Sequence, residues 1–393
     1  MIDVLSIFTL IGITLLLGYI CSIIFKKTQI PDVIWLLMFG YLIGPVFNLV
    51  SRELFVSMAP LLASFSLLII LFDAGLEMNI SQAVKQFPRI IFLSFFSITL
   101  TILVIAAASI FLFNFDWVRA LLLGSIIGGP SSAIVVSILK KLNVREEIRT
   151  ILDLESIITD PVDVVLTLAL IQFYTSTLPF NSIFVNLTSA FSLGAIFGLV
   201  ISVIWILFLR QVKSGFNYML TLGILLLTYA LVESISGSGA VAALVFGAVL
   251  GSEKISNKLK FKEDESVEPP LKKFHEEITF FVRSFFFVSM GIIVSINYNF
   301  ILQGIVITAF IALARIVSVK ICTYKMNLSS FESNIMKINI PQGLATAVMA
   351  YVPSLYGIKD AEVFVNIAFV VILATIIYTT IGIKLLYIRE KNY

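Results

Sequence analysis

Charge is scarce in this chain. Asp, Glu, Lys and Arg make up 13% of its 393 residues, while 59% are hydrophobic and the mean hydropathy is +1.05. A soluble globular domain carries about twice that charged share. A chain of this composition cannot hide its apolar surface inside one water-facing globule, so lipid must be part of its solvent. Cysteine is nearly absent: Cys21 and Cys322 both sit in apolar runs and offer neither a disulfide framework nor a metal-ligand spacing. His275 is the one histidine, and one imidazole does not make a zinc site. With no nucleophile beside a base, an enzyme is not expected and no cofactor is called for. The net charge of +3 gives no ground for a nucleic-acid partner. Polar stretches are few; the longest, about 253–273, reads as a charged loop joining two halves, with no soluble domain appended. Residues 4–25 lack a basic leader and a small-residue cleavage site, and are expected to be a retained first span.

What the sequence has is a succession of apolar runs of about 20 residues. They fall at 4–25, 30–50, 59–79, 89–113, 118–139, 149–176, 183–209, 216–234, 238–252, 275–296, 300–324, 332–354 and 361–387, which predicts an all-α membrane protein of thirteen spans. The basic residues support that number. Of 27 Lys and Arg residues, only Arg52, Arg119 and Lys359 fall in one set of alternate breaks. Four (Arg283, Arg315, Lys320 and Lys337) lie within or at the ends of spans, and the rest share the other set. Basic loops stay in the cytoplasm, so the N-terminus is expected outside and the C-terminus inside.

Two halves echo one another. FGYLIG at 39–44 returns as FGAVLG at 246–251, an offset of 207. IIGGPSSAIVV at 126–136 is matched around its proline by INIPQGLATAV at 338–348, an offset of 211. Seven spans per period reverse the orientation in the membrane, so the expected halves, about 4–176 and 216–387 with a linking helix near 183–209, are inverted copies within one transmembrane domain. Gly128, Gly129, Pro130 and Ser131 interrupt the fifth span, and Pro341, Gln342 and Gly343 interrupt the twelfth. Proline removes a backbone donor and glycine is a poor helix former, so both helices should unwind at matched depths. Half-helix ends and freed carbonyls at mid-membrane are a means of holding an ion.

The sixth span carries LDLESIITDPVDVV at 152–165, with four carboxylates. A lone carboxylate at the bilayer centre costs about 2.5–3.5 kcal/mol on insertion scales, so a use is expected. Ser156 and Asp160 share a helix face, while Glu155 is turned about 140° from Asp160 at 100° per residue. Asp160, with Ser156 and Thr159, offers hard oxygen ligands suited to Na⁺, K⁺ or H⁺. One carboxylate oxygen cannot hold a proton and a metal cation together, and that competition suffices for exchange. Glu155 needs a cationic partner, with Arg315 in the eleventh span as first candidate and Arg283 as the alternative. Asp73, late in the third span, is placed to reach the ion through water or to line its entry.

These residues resemble the cation:proton antiporter superfamily, in its sodium/proton exchanger branch, over nearly the whole chain. ESIITD at 155–160 is similar to the family's E-S-L-x-N-D, and LLIILFDAGLE at 67–77 is similar to its third-helix segment. The resemblance implies that Asp160 and Ser156 are ion ligands and that Asp73 is the third-helix acidic position. It also implies a Glu155–Arg315 pair, crossed and unwound fifth and twelfth helices, a homodimer and an elevator-like movement. Two positions depart from the pattern: Thr159 replaces the usual Asn, and Pro130-Ser131 stands where many members carry T-D-P, so Ser131 occupies a carboxylate's place. The expectation is an exchanger of Na⁺ or Li⁺ for H⁺ in the cytoplasmic membrane, one cation for one proton. A K⁺/H⁺ antiporter of the same fold is the alternative, and a sodium-coupled solute symporter a more distant one.

Overall fold

The computed structural model describes residues 4–28, 31–50, 52–77, 80–131, 134–135, 144–176, 180–209, 217–252, 268–295, 297–324 and 326–391. Helix is the one regular element among them. In chain order the helices are α1 (Val4–Thr28), α2 (Asp32–Tyr41), α3 (Arg52–Glu77), α4 (Ile80–Phe113), α5 (Trp117–Ile126), α6 (Glu146–Thr175) and α7 (Phe180–Leu209). They continue as α8 (Asn217–Ser234), α9 (Gly239–Leu250), α10 (Glu268–Ile293), α11 (Tyr298–Cys322), α12 (Ser330–Ile338), α13 (Leu344–Leu355) and α14 (Ala361–Lys391). Each apolar run of the sequence is met by helix, the twelfth by two, α12 and α13. Four stretches are long and apolar enough to cross a membrane by length and composition: Phe92–Phe113, Thr188–Leu209, Tyr298–Cys322 and Ala361–Ile388.

Helix starts follow their capping residues. Asp116 accepts from the Val118 and Arg119 amides at the head of α5, and Asn297 accepts from Phe300 at the head of α11. Ser329 and Glu332 form a reciprocal capping box on α12. After α2 the chain widens into a π-helical turn, Leu42–Val46, in which Phe47 donates to the Leu42 carbonyl at 2.9 Å. Pro45 lies in that turn and has no amide proton to continue the regular ladder.

The chain divides into two compact units, residues 1–63, 86–175 and 284–393 in one, and 64–85 and 176–283 in the other. In the first, α14 packs on α11, α12 and α13, and α5 packs on α6. In the second, Leu68, Ile69 and Phe72 of α3 form a core with Leu225, Ala243, Phe246 and Val282. The repeated FGxxxG segments serve the same purpose in each unit. In the first, Gly40 and Gly44 lie against the α10 backbone at Val288 and Ile292; in the second, Gly247 and Gly251 of α9 lie against the α3 backbone at Phe72 and Leu76. A Cβ at any of these glycines would collide with main-chain atoms, so the small residues set how closely the helices approach.

Candidate ion-binding site

The site grows from two places where helices stop. α5 ends at Ile126, its last bond being Ile127 N–H to Leu123 O at 3.2 Å, and helical bonding resumes where Val135 N–H donates to Ser131 O at 3.0 Å. α12 ends at Ile338, and α13 resumes with Ala347 N–H donating to Gly343 O at 3.0 Å. Freed backbone groups away from water need partners, and the two breaks supply them to each other. Ser131 N–H donates to Pro341 O at 2.8 Å. Gln342 donates from Nε2 to the Ile127 carbonyl at 3.4 Å, and its Oε1 accepts from Thr346 at 2.7 Å. Its own amide donates to Thr375 Oγ1 of α14 at 3.1 Å. Ser131 lies directly on Gly343, where a Cβ would meet the Ser131 side chain. Ser132 lies outside the described residues.

α6 lies over the first break. It runs through Pro161 without ending, so Asp160 is inside a continuous helix and is not a cap. Asp160 is 6% exposed, and Ser156 and Thr159 are fully buried. Ser156 Oγ donates to Asp153 O at 2.9 Å and Thr159 Oγ1 donates to Ser156 O at 3.1 Å. A hydroxyl that donates to its own helix keeps oxygen lone pairs free for a cation. The glycines of the break admit this helix. A Cβ on Gly129 would come within 2.7 Å of Thr159 Oγ1 and 2.8 Å of Asp163 Oδ2, and one on Gly128 would strike Asp163 Oδ1. Asp163, 6% exposed, accepts from the Gly129 amide and feels the charge of Asp160.

Glu155, on another face of α6, meets Arg315 of α11. Nη1 bonds Oε1 and Nη2 bonds Oε2 at 2.8 Å, a two-pronged pair. Arg315 also donates from Nε to Met336 O at 2.9 Å and from Nη1 to Ser97 Oγ at 3.2 Å. Both side chains are buried, at 0% and 2% exposure, and each of the three guanidinium nitrogens donates to a partner. The pair therefore ties α6, α11, α4 and the last turn of α12 together.

Two polar clusters lie near the ends of the broken segments. Arg119 of α5 bonds Asp116, reaches Asp360 at 2.8 Å and stands 5.0 Å over the Phe115 ring. Burial works to raise the Asp116 pKa, but hydrogen bonds and charge from Arg119 outweigh it and hold the carboxyl below its ordinary value. Arg145, after the fifth segment, pairs with Glu332 of α12 and donates to Asn327 O at 2.9 Å.

Of the residues singled out from the sequence, Asp160, Ser156, Thr159, Pro130, Ser131, Gly129, Pro341, Gln342, Gly343, Glu155 and Arg315 all fall in the first unit. Asp73 is a half-buried residue of α3 in the second unit. Sequence reasoning passed over Asp163 as a partner of the break. Its i, i+4 relation to Thr159 on α6 was the available signal. It also passed over Asn339, 1% exposed and with neither amide atom hydrogen-bonded among the described residues.

The family model described as sodium/hydrogen exchanger, transmembrane, matches residues 12–389. The chain belongs to that family. Its relatives are transporters. The K⁺/H⁺ antiporter NhaP2 of Shewanella baltica is 25% identical over 335 residues, which cover 82% of this chain and 56% of that protein. The K⁺/H⁺ antiporter NhaP of Alkalimonas amylolytica is 22% identical, covering 94% of this chain and 64% of that one. A probable Na⁺/H⁺ antiporter 2 of Methanocaldococcus jannaschii is 26% identical, covering 86% and 84%. The chain thus spans less than two thirds of the length of the two K⁺/H⁺ antiporters. The solved structure of the sodium proton antiporter MjNhaP1 of M. jannaschii superposes with a TM-score of 0.82 at 20% identity, covering 96% of this exchanger-family chain and all of that one. The sodium/proton antiporter fold is therefore its fold.

Proposed function

We propose that this chain is a secondary antiporter that exchanges Na⁺ or Li⁺ for H⁺ across the cytoplasmic membrane by alternating access, with the two ions competing for Asp160. The observation that carries this reading is a buried Asp160 flanked by Ser156 and Thr159, on the helix that lies against the Gly128–Gly129 break. A carboxylate buried in that position is costly to keep charged, and a bound proton or metal cation offsets that cost. Oxygen-only ligands suit hard alkali ions. On this reading Ser131, Pro130 and the freed carbonyls complete the surroundings of the ion. Glu155 and Arg315 hold the frame. Residues 4–176 and 216–387 are two inverted copies, a relation supported by the equivalent glycine packing of α2 on α10 and of α9 on α3. The protein works as a homodimer.

K⁺ in place of Na⁺ is the second reading, favoured by the names of the Shewanella and Alkalimonas relatives. Both readings meet one experiment: cation-induced dequenching of a pH dye in proteoliposomes, with the membrane potential clamped. Antiport gives a response to Na⁺ and Li⁺, or to K⁺, and the ranking separates the two readings. Silence toward all three cations rejects both.

A further inference from the structure

We propose that Asp163 is a second cation-coordinating carboxylate of the pocket, presented to the fifth-segment break by α6 where the break itself carries Ser131 instead of an acid. The inference rests on the antiport reading and adds a ligand that the sequence motif does not mark.

Asp163 is 6% exposed and faces the break, with Gly128 and Gly129 both within contact of its carboxylate. One carboxylate oxygen is held by the Gly129 amide. The other, Oδ1, has no hydrogen-bond partner among the described residues. No Lys or Arg among the described residues pairs with this side chain, although the same helix gives Glu155 a complete two-pronged partner in Arg315. Buried carboxylates that serve only the fold are paired or fully hydrogen-bonded, since a bare oxygen loses its hydration without return. Asp163 is half-anchored, which leaves one oxygen facing Gly128 at the break without a hydrogen bond among the described residues.

The glycines are part of the arrangement. A side chain at Gly128 would occupy the space beside Oδ1, and one at Gly129 the space beside Oδ2 and Thr159. Asp163 lies one helical turn beyond Asp160, close enough for their charges to interact. Two like charges so placed repel unless a cation or proton lies between them. A dehydrated alkali ion at the break would satisfy Oδ1 of Asp163, relieve that repulsion and keep the Gly129 amide bond intact.

The test uses the full chain in proteoliposomes, with Na⁺ and then K⁺ as the driving cation. Asp163→Asn keeps shape and hydrogen-bonding capacity but removes the anionic oxygen. Where wild type exchanges, the variant is expected to raise the KM for the cation about tenfold or more, the scale of losing one charge-assisted ligand. Its thermal unfolding in detergent without added cation is expected to match wild type. Asp163→Ser serves the same purpose if the asparagine variant does not purify folded. A KM within about twofold of wild type, which a neutral hydrogen-bonding role predicts, overturns the assignment and leaves the antiport reading standing. A wild-type protein silent toward every alkali cation instead removes the antiport reading on which the assignment rests.

Discussion

Three carboxylates on α6 meet three different environments. Glu155 is paired, Asp160 is buried beside two hydroxyls, and Asp163 is held at one oxygen. Asp160→Asn is expected to abolish cation-driven proton exchange while leaving thermal unfolding close to wild type, because asparagine keeps the volume but loses the exchangeable charge. Glu155→Gln or Arg315→Ala is expected to act on the fold, since removing one partner of a buried ion pair strands the other at a cost of about 3–5 kcal/mol. Arg315→Ala also frees the Met336 carbonyl and Ser97. A clear fall in melting temperature for both variants is the expected result, and unchanged melting in both would contradict the structural role. Asp116 gives a pH signature. Its carboxyl sits below its ordinary value in the folded protein, so its contribution is present above the unfolded pKa of about 3.9 and is lost as pH falls through the lower folded value. Melting curves of wild type and Asp116→Asn should therefore converge as pH drops below about 4. The difference above that pH is expected to be small, because the carboxylate is 41% exposed and screened by water.

At the scale of the helices, glycine decides how closely segments meet. Gly343→Ala places a methyl on the Ser131 side chain, and Gly128→Ala places one on Asp163. Each is expected to lower exchange activity more than it lowers expression, measured as transport rate per reconstituted protein. The same substitution at Gly12 or Gly223, where nothing lies within 4 Å of a new Cβ, is the control expected to behave as wild type. Both breaks were legible because Gly and Pro act locally on the backbone. The path of α6 through Pro161 agrees with the single run 149–176 read from the sequence. α3, α4 and α10 begin earlier than hydropathy alone places them, because polar turns extend a helix beyond its apolar run.

For the whole molecule, the distribution of Lys and Arg predicts orientation. A fluorescent protein fused after Lys391 is expected to fluoresce, and alkaline phosphatase fused in the break at Lys359 to be active, since each requires its own side of the membrane. The reverse pair of results would invert the assignment. Arg119 with Asp360 and Arg145 with Glu332 join the fifth segment to the region of α12–α14 near its two ends. Neither pair is visible in the sequence, because an arginine near the end of a span has many acids within reach until the fold selects one.

Apolar length, loop charge, the Gly–Pro breaks and the ESIITD segment were each written into short stretches of chain, where hydrophobicity and backbone chemistry act residue by residue. From these came the membrane setting, the helices, the two interruptions and the proposal for Asp160. Apart from the Glu155–Arg315 pair, which the resemblance already implied, pairing required the tertiary structure. Pro341 receives its hydrogen bond from Ser131, and Asp163 gains its meaning only against the glycines of the fifth-segment break. Such contacts depend on which helix faces meet, and helix faces meet by long-range packing that no local stretch of sequence encodes.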